Sequence, residues 1–437
     1  MILGGRLLSE PPLERPPRAV VAAGRSILAL RAGLTAAELA DHQLRWLRTV
    51  VRAAEDVEPY RSHWKPSSVA EALRAPDTDG ALACLPVLPN ALLRTTPLEA
   101  RRTAPAPEGT SVRFTSGSTG DRFAYEYPPG GSWWLGVLSQ RADTPGRRRM
   151  TLGQYLPSRS PGLLGRLSGW RSSGVLGSEE AQAEMVRRVR PKRVAGLGKN
   201  MVAVGRALRA DGWRPGGWPS EIRTGGGVLE DDTRRAIADL WGRPPIDVYS
   251  ATETGPIAEQ CAARDLYHIV CESVVVEVLD DAGEAAPPDK VGDLVVTNLW
   301  NRLSPLIRYG IDDRGAIAGR ACRCGFVGPA LRSVDGRVWD WLWDGAGGRI
   351  PPQRLWLSYL MAESWRTRVR AYQVHQFRDG RVVVDIACEL PPDVLEDVQR
   401  KAVEVFEGRI PVEVRCAASL DFPSERWRSV SSDYWSR

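Results

Sequence analysis

Histidine is scarce in this chain, with four in 437 residues, and lysine is scarce beside arginine. Of 59 basic residues, only Lys65, Lys192, Lys199, Lys290 and Lys401 are lysines. So few histidines leave little room for a Ser/His/Asp nucleophilic set, and no sequence motif of that kind is present. No run of about 18 apolar residues occurs, so no membrane span is expected. The N-terminus has no basic segment followed by an apolar core, so no secretory signal is expected, and the expected location is the cytoplasm. The seven cysteines are an odd number in a long chain. Without a secretion signal, that argues against a disulfide framework. Internal repeats and low-complexity tracts are also missing.

What is present fits a globular protein, with 43% hydrophobic and 26% charged residues. The length predicts two domains, one of them large. A net charge of +6 raises nucleic acid as a partner. The arginines are scattered, however, and no basic helix with interleaved aromatics occurs, so nucleic acid is not expected. An anionic small molecule suits the balance equally well.

Residues 1–30 show little periodicity and several prolines, and are expected to be irregular or an arm. Thr35 and Glu38 form a capping box, and Leu39, Leu44, Trp46, Leu47, Val50, Val51 and Ala54 recur at helical spacing. Prolines break residues 60–107 into short pieces, including Leu85-Pro86-Val87-Leu88-Pro89. From residue 181 to 249 helices and strands alternate: helix 181–189, strand 193–197, helix 201–208, strand 221–224, a helix to Trp241, and strand 246–249. This predicts α/β architecture. Period-2 runs from Val274 to Ile317 predict a β-rich subdomain. A final α+β unit is expected at about 341–437, with strands at 367–377, 381–388 and 411–415 and a helix at 392–406.

The stretch Phe114-Thr115-Ser116-Gly117-Ser118-Thr119-Gly120 organises the chain. Glycine permits positive φ and close approach to a ligand. Successive backbone N–H groups with Ser and Thr hydroxyls make a concave donor surface for an anion such as phosphate. The loop has no Gly-Lys-Ser/Thr ending, so it is not a Walker loop. It resembles the phosphate loop of the adenylate-forming superfamily, which carries Thr-Ser-Gly-Ser/Thr-Thr-Gly and then usually Lys-Pro. Here Asp121-Arg122 follows.

Three further segments stand in the superfamily's order. Tyr249-Ser250-Ala251-Thr252-Glu253 resembles Tyr-Gly-x-Thr-Glu; a tyrosine there can stack on adenine, and the Glu253 carboxylate is a hard oxygen ligand for Mg²⁺. Pro305-Leu306-Ile307-Arg308-Tyr309 is followed by Gly310-Ile311-Asp312-Asp313 where the family has Arg-Thr-Gly-Asp. Asp313 then falls at the ribose-binding carboxylate, with Asp312 as the alternative. Gly336-Arg337 resembles the Gly-Arg that ends the large domain. The spacing, the Cys-x-Cys-Gly segment and the short C-terminal unit are most similar to the phenylacetate–CoA ligase branch. That branch also passes through a Pro-Tyr-Arg and a Leu-Pro element, like those near Tyr60 and Leu85.

The resemblance implies a large α/β domain with a β-rich subdomain over 1–338 and a small, mobile α+β lid over 339–437. It implies that a carboxylic acid, aryl or amino acid in type, is activated by ATP as an acyl-adenylate. Transfer then goes to coenzyme A, a carrier-protein thiol or an amine, and a homodimer is admitted. Thr115, Ser116, Gly117, Ser118, Thr119 and Gly120 would cradle phosphate, with Gly226, Tyr249, Thr252, Asp313 and Arg337 also at the nucleotide. Thr119, Glu253, Arg337 and Arg426 are the implied catalytic set. Arg426 stands where the family has a lysine. Trp133 and Trp134 fall where relatives build the acyl pocket, with helix packing as the plainer reading. Gly225-Gly226-Gly227 implies a wide pocket.

Cys261, His268, Cys322 and Cys324 offer three thiolates and an imidazole, a tetrahedral set suited to structural Zn²⁺. Cys271 is the substitute ligand. The rival reading is a non-catalytic nucleotide-binding relative, motivated by Asp121, Arg122, Gly310, Trp339 and Arg426.

Overall fold

A computed structural model of the chain describes residues 35–114, 123–131, 134–135, 149–154, 170–174, 179–337, 341–350, 352–355, 360–361, 365, 369, 372–416 and 430–434. Expectations that fall on residues 1–30, the loop 115–122, Trp133, Trp339 and Arg426 lie outside them. The described residues divide into two compact units, the second made of 230–232, 312–314 and 335 onward. None of the helices described is long and apolar enough to cross a membrane.

The first unit opens with helix α1 (Ala36–Ala54). Its start is a complete capping box: Thr35 Oγ1 accepts from Glu38 N at 3.3 Å, and Thr35 N donates to Glu38 Oε2 at 2.9 Å. The apolar stripe buries Trp46, Leu47, Val50 and Val51 in the main core.

His42 lies on the same face and is wholly buried. Its Nε2 is 3.2 Å from the Glu272 carbonyl oxygen, and its ring packs on Trp46 at 4.3 Å. Burial pulls its pKa below 6.5, with a smaller push the same way from the Arg45 charge, against the raising effect of the Glu272 carbonyl and carboxylate and of Asp41. The unfolded chain therefore takes up the proton first. Stability from this group is complete above pH 6.5 and is lost as pH falls below it. The Tm of the protein should drop further between about pH 7.5 and 5.5 than that of His42→Gln. Equal drops in a pair of melting curves would contradict this.

An eleven-stranded sheet runs through the first unit in the order Val274–Leu279, Gly292–Asn298, Tyr309–Ile317, Ala330–Arg337, Tyr267–Ile269, Gly255–Gln260, Ile246–Ala251, Glu221–Gly225, Arg193–Gly196, Arg149–Gln154, Trp170–Gly174. Its parallel part comprises β3 (Arg149–Gln154), β4 (Trp170–Gly174), β5 (Arg193–Gly196), β6 (Glu221–Gly225) and β7 (Ile246–Ala251). Helices α2 (Glu179–Val189), α3 (Gly198–Ala210) and α4 (Asp231–Trp241) connect these strands as the alternation predicted. Their core joins Leu152, Val194, Met201, Ile222, Ile237 and Trp241. Trp241 Nε1 donates to the Met201 carbonyl at 2.8 Å, which gives the buried indole a partner.

The β-rich part comprises β8 (Gly255–Gln260), β9 (Tyr267–Ile269), β10 (Val274–Leu279), β11 (Gly292–Asn298), β12 (Tyr309–Ile317) and β13 (Ala330–Arg337). A separate hairpin pairs β1 (Ser111–Phe114) with β2 (Ala124–Tyr127), Phe114 opposite Ala124.

In the second unit β14 (Leu342–Trp343) pairs with β15 (Arg349–Ile350), and β18 (Val412–Cys416), β17 (Val382–Ile386), β16 (Tyr372–Gln376) and β19 (Val430–Ser432) form a sheet in that order. Leu342, Val374, Val384 and Phe406 share its core with Val398 and Ala402 of α5 (Pro392–Val405). Strand β19 has no counterpart in the sequence reading. It is serine-rich, and a buried glutamine holds it. Gln376 Oε1 accepts from Ser432 Oγ at 3.0 Å and Trp343 N at 2.7 Å, and Nε2 donates to the Trp343 and Gly380 carbonyls.

Candidate active site

In open α/β sheets, ligands bind beyond the carboxyl ends of the strands. Two of the singled-out segments sit there. Gly225 ends β6, and Ala251 ends β7 just before Thr252-Glu253-Thr254. The glycines after β6 have different causes. A Cβ on Gly225 would lie 2.7 Å from the Val248 carbonyl oxygen, so strand pairing demands glycine there. Gly226 has φ +86°. Open space is found only beside Gly227, so the expected wide pocket rests on one residue rather than three.

Glu253 is buried, and its Oε1 accepts from the Tyr309 hydroxyl at 3.0 Å. The neighbouring Thr252 carbonyl accepts from the Tyr127 hydroxyl. Burial, then the Glu253 charge, push the Tyr127 phenol well above its ordinary range, so it stays protonated as a donor. Tyr127 belongs to β2, so the hairpin flanking residues 115–122 is fastened to the Glu253 turn. Residues 300–304 hold the same hairpin. Asn301 Nδ2 donates to the Glu126 carbonyl at 2.8 Å and to Tyr125 Oη at 3.0 Å, and the Tyr125 hydroxyl donates to the Ser304 carbonyl. Tyr249 is partly buried against the core on β7.

Arg308 is buried. Its guanidinium meets Glu277 at 2.8 Å and 3.1 Å and donates to the Leu85 carbonyl at 2.5 Å. Leu88 N donates to the Arg308 carbonyl at 2.7 Å, and Gly310 N to the Leu88 carbonyl at 3.0 Å. The Leu85–Pro89 element is thus added alongside the start of β12. In the second unit, Arg337 Nε lies 3.6 Å from Asp313 Oδ1. The residues expected at ribose and at phosphate are therefore paired with each other. Asp312 has φ +61°, which breaks the strand alternation beside Asp313.

A second cluster forms because β9 pairs with both β8 and β13: His268 faces Glu259 on one side and Ala330 on the other. This brings Cys261, His268, Cys322 and Cys324 together, with one donor atom from each all within 4.8 Å of one another. Cys261 Sγ is 3.7 Å from Cys322 Sγ, and Cys324 Sγ is 3.4 Å from His268 Nε2. Two thiolates on one tetrahedral zinc, each at about 2.3 Å, stand about 3.8 Å apart, so the spacing fits that ion. Loss of water, then hydrogen bonding with Cys322, push the Cys324 thiol up to about 11. Asp265 braces the loop: it accepts from both terminal nitrogens of Arg320 at 2.7 Å and from Arg323 N at 3.2 Å. Those bonds hold its carboxyl well below the usual range, Arg320 contributing most. Cys271, the substitute ligand, is not in the cluster; its Sγ contacts the Ile269 carbonyl.

No family profile matches the chain. A curated phenylacetate–coenzyme A ligase of Thermus thermophilus is 33% identical over 113 residues, a quarter of each chain. The chain thus spans about a quarter of the length of the curated relative it matches. A 2-hydroxyisobutyryl-CoA ligase, solved in the postadenylation state with R3-HIB-AMP, superposes with a TM-score of 0.73 over 92% of this chain and 90% of that one, at 18% identity. The chain has the adenylate-forming ligase fold. O-succinylbenzoate coenzyme A synthetase from Bacillus subtilis, in complex with ATP and magnesium ion, gives 0.52 over 71% of this chain and 66% of that one, at 16% identity.

Within the adenylate-forming ligase fold, Trp134 is fully buried and packs on Trp46 at 5.8 Å, the plainer of its two readings. One outcome corrects the sequence reading. A Ser–His–Asp line does exist: His375 Nδ1 is 3.0 Å from Ser431 Oγ, and Nε2 is 3.0 Å from Asp433 Oδ2. The nitrogens are reversed relative to the hydrolase arrangement, and the Asp433 side chain is 52% exposed where that arrangement buries it. The line ties β19 to β16, where His375 and Ser431 are register partners. The role of Tyr309 escaped the sequence reading, because no local spacing links it to Glu253.

Proposed function

We propose that the protein activates a carboxylic acid with ATP and passes the acyl group to a thiol. What carries this reading is that two separate motifs meet at one carboxylate: Tyr309, 56 residues away in sequence, donates to Glu253. In the first half-reaction an oxygen of the acid's carboxylate forms a bond to the α-phosphorus. The bond from that phosphorus to its bridging oxygen breaks, and pyrophosphate leaves with the electron pair. In the second, a thiolate sulfur adds to the acyl carbon, and AMP leaves with the electrons of the acyl–oxygen bond. Negative charge builds on phosphate oxygens in the first step, so fixed donors are what the chain must supply. Thr115, Ser116, Gly117, Ser118, Thr119 and Gly120 are assigned to that task. Glu253 would hold Mg²⁺, which would neutralise phosphate charge when bound.

Asp313 is assigned to the ribose and Arg337 to phosphate, each exchanging its partner for the nucleotide. Arg426 is assigned to the acid and α-phosphate in place of lysine; arginine keeps the charge but presents a planar fork of donors. Coenzyme A is the favoured acceptor, because the relatives compared are coenzyme A ligases or synthetases. Incubation with ATP, Mg²⁺, hydroxylamine and a panel of aryl, short hydroxy and amino acids tests the reading. An acid-dependent hydroxamate with stoichiometric AMP is expected. Nucleotide binding without any hydroxamate would favour the non-catalytic reading.

Cys261, His268, Cys322 and Cys324 are assigned to a structural zinc ion that staples β8, β9 and the loop before β13. The 3.7 Å sulfur–sulfur distance supports this. Elemental analysis of protein purified without chelators should find about one zinc per chain. The Cys322→Ser/Cys324→Ser variant should hold almost none and melt at a lower temperature. Zinc-free wild-type protein would contradict the assignment.

A further inference from the structure

The nucleotide reading gives Glu253 a role but not a mechanism for holding its carboxylate in place. A free carboxylate turns about its terminal bond. This one is buried, and its Oε1 is taken by the Tyr309 hydroxyl at 3.0 Å. Among the described residues Oε2 accepts no hydrogen bond.

The donor itself is rigid. Tyr309 is fully buried. The backbone on its two sides is fixed by Leu88 N on the Arg308 carbonyl and by Gly310 N on the Leu88 carbonyl. Arg308 is anchored in turn to Glu277 and the Leu85 carbonyl. The acceptor's turn is equally confined. Thr252 is gripped through its carbonyl by Tyr127, Thr254 is fully buried, and Gly255 takes φ +77° against Leu135.

We infer that Tyr309 is a positioning residue for Glu253, fixing one carboxylate oxygen so that the other is presented to nucleotide-bound Mg²⁺. This rests on the nucleotide reading above. The partner of a metal-binding carboxylate commonly changes metal affinity 10- to 100-fold when removed. A phenol that only filled space would have no effect on Mg²⁺ dependence, since phenylalanine fills the same space.

The test is calorimetric titration of ATP into the intact protein at graded Mg²⁺ concentrations. Tyr309→Phe should need roughly 10-fold more Mg²⁺ for half of the maximal gain in ATP affinity. Its ATP affinity without Mg²⁺ should match the wild type, while its Tm should fall by a few degrees, because the buried carboxylate loses its donor. In a Glu253→Gln background, Tyr309→Phe should produce no further change. A wild-type protein whose ATP affinity responds to Mg²⁺, beside a Tyr309→Phe variant with an identical response, overturns the inference alone. So does a variant that loses ATP affinity equally with and without Mg²⁺, because the defect is then in packing. A wild-type protein with no Mg²⁺-dependent ATP binding overturns the nucleotide reading and this inference together.

Discussion

Glu253→Gln is expected to lower the rate of acyl-adenylate formation by about 100- to 1000-fold, the scale of losing one well-placed electrostatic group in a transition state. The substitution is close to isosteric. Its amide oxygen can still accept from Tyr309, so the turn after β7 should keep its shape. What is lost is the full negative charge at a buried position. A neutral amide is a poorer ligand for a hard divalent cation that favours carboxylate and phosphate oxygens. The loss should therefore be largest at limiting Mg²⁺. Single-turnover measurement with an accepted acid checks this, with a melting curve to show the fold intact. A rate within threefold of wild type would remove Glu253 from the site.

Arg308→Ala should act on stability instead. Its side chain is 10% exposed and that of Glu277 is 19% exposed, so the pair is largely out of water. Burial pushes the Glu277 carboxyl up, and Arg308 offsets this. Removing the arginine strands a buried acid and takes the donor from the Leu85 carbonyl. Breaking one side of such a pair costs about 3–5 kcal/mol. For a unit of this size that corresponds to a fall in Tm of about 5–10 °C. Arg308→Ala/Glu277→Leu should recover part of the loss, because no unpaired charge remains. An unchanged Tm with lost ATP binding would mean that Arg308 touches the nucleotide, contrary to the contacts seen.

The contrast between these two residues shows what could be read from the chain. Local periodicity gave α1 with its cap, the alternation from α2 to β7, and the period-2 strands β10 and β11, because each depends on neighbours in sequence. The four metal-site candidates were readable as residue types. Their meeting was not, since it depends on the three-residue strand β9 pairing on both sides. Strand β19 was missed because its serines serve polar partners, Ser432 the buried Gln376 and Ser431 the ring of His375, instead of forming an apolar face. Within Pro305–Asp313 the motif was plain but its division of labour was not. Arg308 braces Leu85 and Glu277, Tyr309 reaches Glu253, and Asp313 pairs with Arg337. All of these contacts except those of Asp313 join segments more than 30 residues apart. Nothing in the structure explains Gly310, where a side chain would meet only ordinary contacts with Leu88 and Val87.

A carboxylic acid should be joined to AMP at this site. Acid-dependent exchange of labelled pyrophosphate into ATP reads that step alone, whatever the acceptor. Exchange is expected with at least one member of a panel of aryl, short hydroxy and amino acids, dependent on Mg²⁺ and reduced about 100-fold or more in Glu253→Gln. Exchange that is absent across the panel while ATP binds normally, or that persists at full rate in Glu253→Gln, would contradict it.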